Sequence, residues 1–161
     1  MCENFKIELL ILLIIVIAVI VIIIVKSDIF KKYPYKKRNL LTKTEYKFYK
    51  VLKKECDRRD YLICPKVRME DFLEVTCKEN RLKYRGYIKS RHIDFIICDS
   101  ELRMLCGIEL DDYTHDTREA KKADVFKNNV FKKIAVPLFR IYVGQESYEE
   151  QLQEVFYRLK K

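Results

Sequence analysis

Hydrophobic and polar positions divide this chain into two unlike parts. Leu9 to Val25 is a run of seventeen consecutive apolar residues, nearly all Ile, Leu and Val. As a helix rising 1.5 Å per residue it covers about 26 Å, close to the ~30 Å hydrocarbon core of a bilayer. Its β-branched content would suit a strand in water, but in lipid the backbone must bond to itself, which selects helix. Beyond residue 40 the pattern turns periodic and short. Thr42-Lys43-Thr44-Glu45 is a capping-box signature, and Tyr49, Leu52 and Cys56 continue a helical stripe from Glu45. Tyr61 to Val67 reads as a strand, and Met69 to Val75 as a short helical or irregular piece.

Two further strand-like segments follow, His92 to Asp99 and the run through Gly107-Ile108-Glu109-Leu110-Asp111. Both are β-branched and bounded by polar turn residues. Asp116-x-x-Glu119 then caps a helix with an apolar stripe of Ala123, Phe126, Val130, Phe131 and Ile134, which Pro137 stops. Leu138 to Val143 is a fourth strand. Ser147-x-x-Glu150 caps a last helix whose Leu152, Val155, Phe156 and Leu159 face inward. The order helix, strand, hairpin, helix, strand, helix predicts an α/β domain with a mixed sheet.

Within that pattern the informative residues are acids in apolar strands. Ser100-Glu101-Leu102-Arg103 has the length of a four-residue hairpin loop. If Asp99 pairs with Met104, Asp94 falls directly opposite Glu109, and the period of two puts Asp111 on the same face. Three crowded carboxylates in a desolvated place resist joint ionisation unless a cation sits among them. A hard divalent ion with oxygen ligands, Mg²⁺ or Mn²⁺, answers that need, with Asp94, Glu109 and Asp111 as ligands.

Charge adds topology and a second candidate surface. The formal net charge is +9. Before the apolar run stand Glu3, Lys6 and Glu8. After it come Lys26, Lys31, Lys32, Lys36, Lys37 and Arg38 against Asp28. The positive-inside rule therefore places the N-terminus outside and the C-terminal domain in the cytoplasm of a single-pass cell-membrane protein. No cleavage pattern of small residues follows the run, so it is expected to remain as an anchor. The expected organisation is an extracytoplasmic segment 1–8, a transmembrane helix 9–25, a basic juxtamembrane linker 26–39 and a domain 40–161. Five cysteines in the domain lie in or beside apolar segments without a C-x-x-C pair, which fits reduced thiols and not a zinc ribbon. Residues 77–91 carry Lys78, Arg81, Lys83, Arg85, Lys89 and Arg91 with two tyrosines and one acid. A solvated loop or a phosphate-backbone contact surface would each have this composition.

The element order, with Asp94 and Glu109 on adjacent strands, resembles the PD-(D/E)XK nuclease superfamily over roughly Leu40 to Val143. Five blocks are similar, in order, to the bacterial family called domain of unknown function 2726. They are Leu-Thr-Lys-Thr-Glu-Tyr-Lys-Phe-Tyr (41–49), Cys-Pro-Lys-Val-Arg (64–68), His-Ile-Asp-Phe-Ile-Ile-Cys-Asp (92–99), Ile-Glu-Leu-Asp-Asp-Tyr-Thr-His (108–115) and Val-Pro-Leu-Phe-Arg-Ile (136–141). That family is in turn similar to very-short-patch repair endonucleases. The resemblance implies a restriction-endonuclease-like mixed sheet flanked by helices, and metal-dependent hydrolysis of phosphodiester bonds in DNA, with RNA as an alternative. Asp94 and Glu109 would match the metal-binding acids, and Glu45 the acid of the first helix. The superfamily's lysine two residues after the glutamate is here Asp111. His115 would serve as general base or charge stabiliser. Lys121, Lys122 or Lys127 would supply the missing positive charge.

Two functions from different classes are thus expected. One is a membrane-anchored nuclease. The other is a catalytically inactive nuclease fold that binds nucleic acid or protein at the cytoplasmic membrane face. Position 111 favours the second, and the retention of Asp94, Glu109, Asp111 and His115 together favours the first.

Overall fold

The structure, a computed structural model, describes residues 2–111 and 118–160. The chain forms two units, Met1–Asn39 and Leu40–Lys161. The first contains helix α1 (Cys2–Lys32), which extends past both ends of the apolar run. Its stretch Asn4–Ser27 is long and apolar enough to cross a membrane. The large side chains from Leu9 to Val25 are exposed on every face, so the helix lacks the one-sided stripe of a soluble surface helix.

The second unit runs α2 (Lys43–Asp57), β1 (Leu62–Arg68), α3 (Met69–Phe72), α4 (Arg81–Lys89), β2 (His92–Cys98), β3 (Met104–Asp111), α5 (Arg118–Lys133), β4 (Leu138–Tyr142) and α6 (Tyr148–Leu159). The sheet order is β1-β2-β3-β4. β1, β2 and β3 are antiparallel neighbours, and β4 lies parallel to β3 after the crossover through α5. Mixed pairing follows from the connections, because a short loop returns the chain antiparallel while a helical crossover returns it parallel.

Alternation along the strands feeds two apolar layers. Phe95, Ile97, Cys106, Ile108 and Ile141 pack with Phe48, Leu52 and Cys56 of α2 and with Leu152, Val155 and Phe156 of α6. Ile96 and Cys98 pack on the other side with Met69, Ile88 and Phe131. Both flanking helices of the first layer begin at full capping boxes. Thr42 Oγ1 accepts from the Glu45 amide and Glu45 Oε2 accepts from the Thr42 amide; Ser147 and Glu150 repeat the arrangement. Gln151 of α6 also brackets the backbone of Tyr142, accepting from its amide and donating to its carbonyl, which ties the helix to β4.

Two local expectations are corrected. Asp99 does not pair with Met104. Cys98 does, and a bulge beside it restores the body of the hairpin to Ile97–Cys106, Ile96–Gly107 and Phe95–Ile108. The bulge absorbs the residue by which the loop differs from the simple hairpin. The side chain of Asp99 closes that loop by accepting from the amides of Glu101 and Arg103. The basic stretch is also not a loop, since Arg81 to Lys89 form α4. Its N-cap Asn80 makes no side-chain cap bond, Gly86 lies mid-helix, and Ile88 is its buried residue. The usual start signal and a broad apolar stripe are therefore both missing.

Gly107 sets how closely α5 approaches the sheet. A Cβ there would lie 2.7 Å from Phe131 Cε1 and 2.9 Å from Leu138 Cδ1. Gly107→Ala should therefore cost about 1–3 kcal/mol through overpacking, more than the backbone gain from losing glycine. Urea unfolding of the detergent-solubilised chain followed by circular dichroism checks this. An unchanged midpoint would mean that the helix shifts without penalty.

Candidate active site

Continuing the β2–β3 register beyond Phe95–Ile108 brings Asp94 opposite Glu109, on the face that also carries Ile96 and Gly107. Asp94 is 9% exposed and Glu109 6%, the buried charged residues of the domain among those described. Each carboxylate is met by a lysine from a different element. Lys127, one turn before Phe131 on α5, donates to Glu109 Oε1 and Oε2, both at 2.8 Å. Lys66 of β1 donates to Asp94 Oδ1 at 2.7 Å and to Glu45 Oε1 at 2.5 Å. The second oxygen of Asp94 accepts from the Leu110 amide at 3.0 Å. Every carboxylate oxygen of the pair thus has a donor.

Glu45 has two tasks at once. One oxygen completes the N-terminal cap of α2 and the other holds Lys66. Its pKa is lowered: burial opposes this, but hydrogen bonds from Lys66 and Thr42 outweigh it. Lys66 itself adopts a left-handed backbone, φ 55°. For a residue with a Cβ this conformation costs roughly 1–2 kcal/mol. Strain of this kind persists where the surroundings enforce it, and it clusters at functional sites.

Asp111 does not join the pair. Arg140 of β4 donates to its two oxygens at 3.1 and 2.9 Å and also reaches Asp124 at 3.2 Å. Among the described residues no group of three His, Cys, Asp or Glu side chains is placed to hold a metal. The expected three-carboxylate ligand set therefore reduces to Asp94 and Glu109. Two carboxylates still suit Mg²⁺, which is usually held by one or two such groups, with water and substrate phosphate oxygens completing its shell. The donor chemistry of the pair fits such an ion. Desolvation, and then the charge of Asp94, push the Glu109 pKa up to about 7 although Lys127 opposes them. Burial thus costs the charged form of Glu109 more than Lys127 returns.

His115 lies outside the described residues, as does Asp112. His92 has its Nε2 3.8 Å from Asp94 Oδ1. Burial and the nearby Lys66 charge lower its pKa, so it is neutral at pH 7 and able to accept a proton. Of the three lysines expected from sequence, Lys127 reaches the site, Lys122 is exposed, and the side chain of Lys121 lies outside those described. The sequence alone assigns no role to Lys66 or Arg140. A cation at the centre of an otherwise apolar strand, two residues after Cys64, was the available signal for Lys66. Of the basic residues around α4, Lys78, Arg81, Lys83 and Lys89 are exposed, Arg85 pairs with Glu70, and Arg91 donates to the Tyr87 carbonyl. The cysteines Cys56, Cys64, Cys77, Cys98 and Cys106 are all free thiols.

The unit is thus an α/β domain that holds a buried acid–lysine cluster on its mixed sheet. The chain belongs to the family described as protein of unknown function (DUF2726), whose model matches residues 37–158. No curated protein and no solved structure matches it.

The raised Glu109 pKa gives a signed pH dependence. Its folded value of about 7 exceeds the ordinary 4.5, so the fold prefers the protonated form. Stability from this group is full below about pH 4.5 and is lost as pH rises through 7, by about 3 kcal/mol at most. Glu109→Gln should match wild type at pH 5 and exceed it in urea midpoint at pH 8. Lys127→Met removes the opposing cation, so its loss of stability should extend to higher pH. A flat difference between wild type and Glu109→Gln across that window would contradict the assignment.

Proposed function

We propose that this protein is a membrane-anchored, metal-dependent phosphodiesterase acting on nucleic acid, DNA first, with its domain on the cytoplasmic side. The observation that carries the reading is the facing pair Asp94 and Glu109, buried and held by lysines from two other elements, with burial raising the Glu109 pKa to about 7. Further support comes from the order of helix, three antiparallel strands, crossover helix and parallel strand, which is the arrangement expected of the PD-(D/E)XK superfamily. On this reading Asp94 and Glu109 hold Mg²⁺ or Mn²⁺. The ion would polarise the phosphate and lower the pKa of the attacking water. Lys66 and Lys127 lie against the two acids and would meet negative charge on a phosphate, the work expected of the lysine that Asp111 replaces. His92 offers a neutral imidazole beside Asp94 as proton acceptor.

A second reading has its own observation. Because each oxygen of Asp94 and Glu109 already has a donor, the cluster is self-sufficient as a pair of structural ion bridges. A catalytically inactive domain that binds nucleic acid or protein at the membrane would need no more.

Three measurements separate and test these readings. Mg²⁺ or Mn²⁺ should raise the Tm of the solubilised chain by mass action, increasingly so as pH rises through 7, because a ligand must lose its proton to bind. Glu109→Gln should abolish the shift. Labelled DNA and RNA should be cut with Mg²⁺ or Mn²⁺ and not with EDTA, and Glu109→Gln and Asp94→Asn should remove the cleavage. Metal binding without cleavage of any substrate selects the inactive reading, and no metal binding removes the hydrolytic one. For the topology, Cys77 should resist an impermeant thiol reagent in intact cells and react after lysis. Labelling from outside would reverse the orientation.

A further inference from the structure

An apolar cleft of about 470 Å³ opens between α4, the segment 73–77 and α5, within the size range of small-molecule pockets. Its walls include Leu73, Tyr84, Tyr87, Ile88, Phe126 and Val130. Tyr84 is 44% exposed and Tyr87 41%, and their rings stand edge to face at 6.0 Å. Tyr87 in turn meets Phe126 at 6.2 Å, and the Arg91 guanidinium lies 4.7 Å from the Phe126 ring centre. The surroundings are predominantly basic, although Glu74 lines the cleft and Glu70 pairs with Arg85. Helix α4 contains Arg81, Lys83, Arg85 and Lys89 and no acid, and Lys133 lines the cleft itself.

The cleft is also tied to the acid–lysine site through α5. Phe126 lines the cleft and its immediate neighbour Lys127 holds Glu109, so one turn of helix serves both. The excess of cations favours a polyanionic occupant, the exposed rings favour one with flat apolar groups, and the shared helix favours one that extends toward the acids. Unpaired nucleotides have all three properties, because each unstacked base has a face for an aromatic ring and each phosphate a partner among the basic residues. A duplex keeps its bases stacked and would offer the cleft its backbone alone.

We infer that this cleft is a base-binding subsite, with Tyr84 and Tyr87 as the stacking platform and the basic residues of α4 as the phosphate contacts, and that the substrate class is single-stranded nucleic acid. The inference deepens the proposed hydrolytic reading and rests on it for the identity of the ligand. Lys133 and the exposed cations of α4 should make binding fall steeply with salt. Arg85 and Arg91 contribute less, being already engaged with Glu70 and with Tyr87 and Phe126.

The test uses the full chain in nanodiscs of neutral lipid, with a fluorescein-labelled oligodeoxynucleotide as single strand or annealed duplex, in EDTA so that no cutting intervenes. Single strand should bind at least tenfold more tightly than duplex. Tyr84→Ala and Tyr87→Ala should each weaken single-strand binding roughly tenfold and leave duplex binding nearly unchanged, while Tyr84→Phe keeps the ring and the affinity. Equal affinity for both forms, unchanged single-strand affinity in the alanine variants, or no binding of either form overturns the inference; the cleft then takes a protein segment or a lipid surface instead. Cleavage separates this from the site reading. Hydrolysis that survives both tyrosine variants leaves the acids catalytic and removes the subsite. Tyrosine-dependent single-strand binding without hydrolysis under any metal keeps the subsite and removes the catalysis.

Discussion

Asp94 and Glu109 face each other across two paired strands beneath a helix, and the energy of keeping charge in that place dictates what the neighbouring elements must deliver. Two carboxylates so close and so dry cannot both ionise unaided. Lys127 arrives only because α5 lies close against β3, and that approach depends on Gly107, whose missing side chain leaves room for Phe131. Lys66 arrives from the edge strand with a left-handed backbone, and its ammonium is shared with Glu45 at the cap of α2. The charge balance of one face thus constrains a helix cap, an edge strand, a glycine and a crossover helix together.

The two acids are not equivalent in this arrangement. Asp94 receives a backbone amide as well as a lysine, whereas among the described residues Lys127 is the hydrogen-bond donor to Glu109, which is the more buried of the two. Desolvation therefore wins at Glu109 and brings its titration to about pH 7. A carboxylate balanced there changes its charge within the neutral range. That property suits a general acid–base group or an ion ligand better than a purely structural bridge, which gains from a carboxylate that stays charged.

Much of the fold was legible because its signals are local. The capping boxes at Thr42 and Ser147, the apolar stripes of α2, α5 and α6, and the alternation of β2 and β3 each follow from residues a few positions apart. The opposition of Asp94 and Glu109 was legible too, although for an incomplete reason, since the bulge beside Cys98 corrects for a hairpin end that pairs differently. Helix α4 was not legible, because Asn80 makes no cap bond and one buried side chain leaves no stripe to see. The partners of the acids were harder still. Lys66, Lys127 and Arg140 come from separate elements, and only the assembled sheet and crossover bring each beside its acid. Spacing along the chain carries no trace of such meetings.

Position 111 shows what that distribution means. An aspartate two residues after Glu109 places a negative charge where the proposed superfamily has a positive one, and taken alone it argues for decay. In the folded chain Arg140, directly beside Glu109 on the parallel strand, reaches across to Asp111 and to Asp124. Its charge also acts on Glu109, lowering its pKa. Asp111 therefore fixes a guanidinium near the acid pair instead of adding a third uncompensated carboxylate to it. The positive charge absent from β3 is supplied by Lys127 above the strand, Lys66 beside Asp94 and Arg140 beside Glu109. Three cations from three other elements thus surround Asp94, Glu109 and Asp111, so β1, α5 and β4 must all stay packed for this cluster to keep its charge balance.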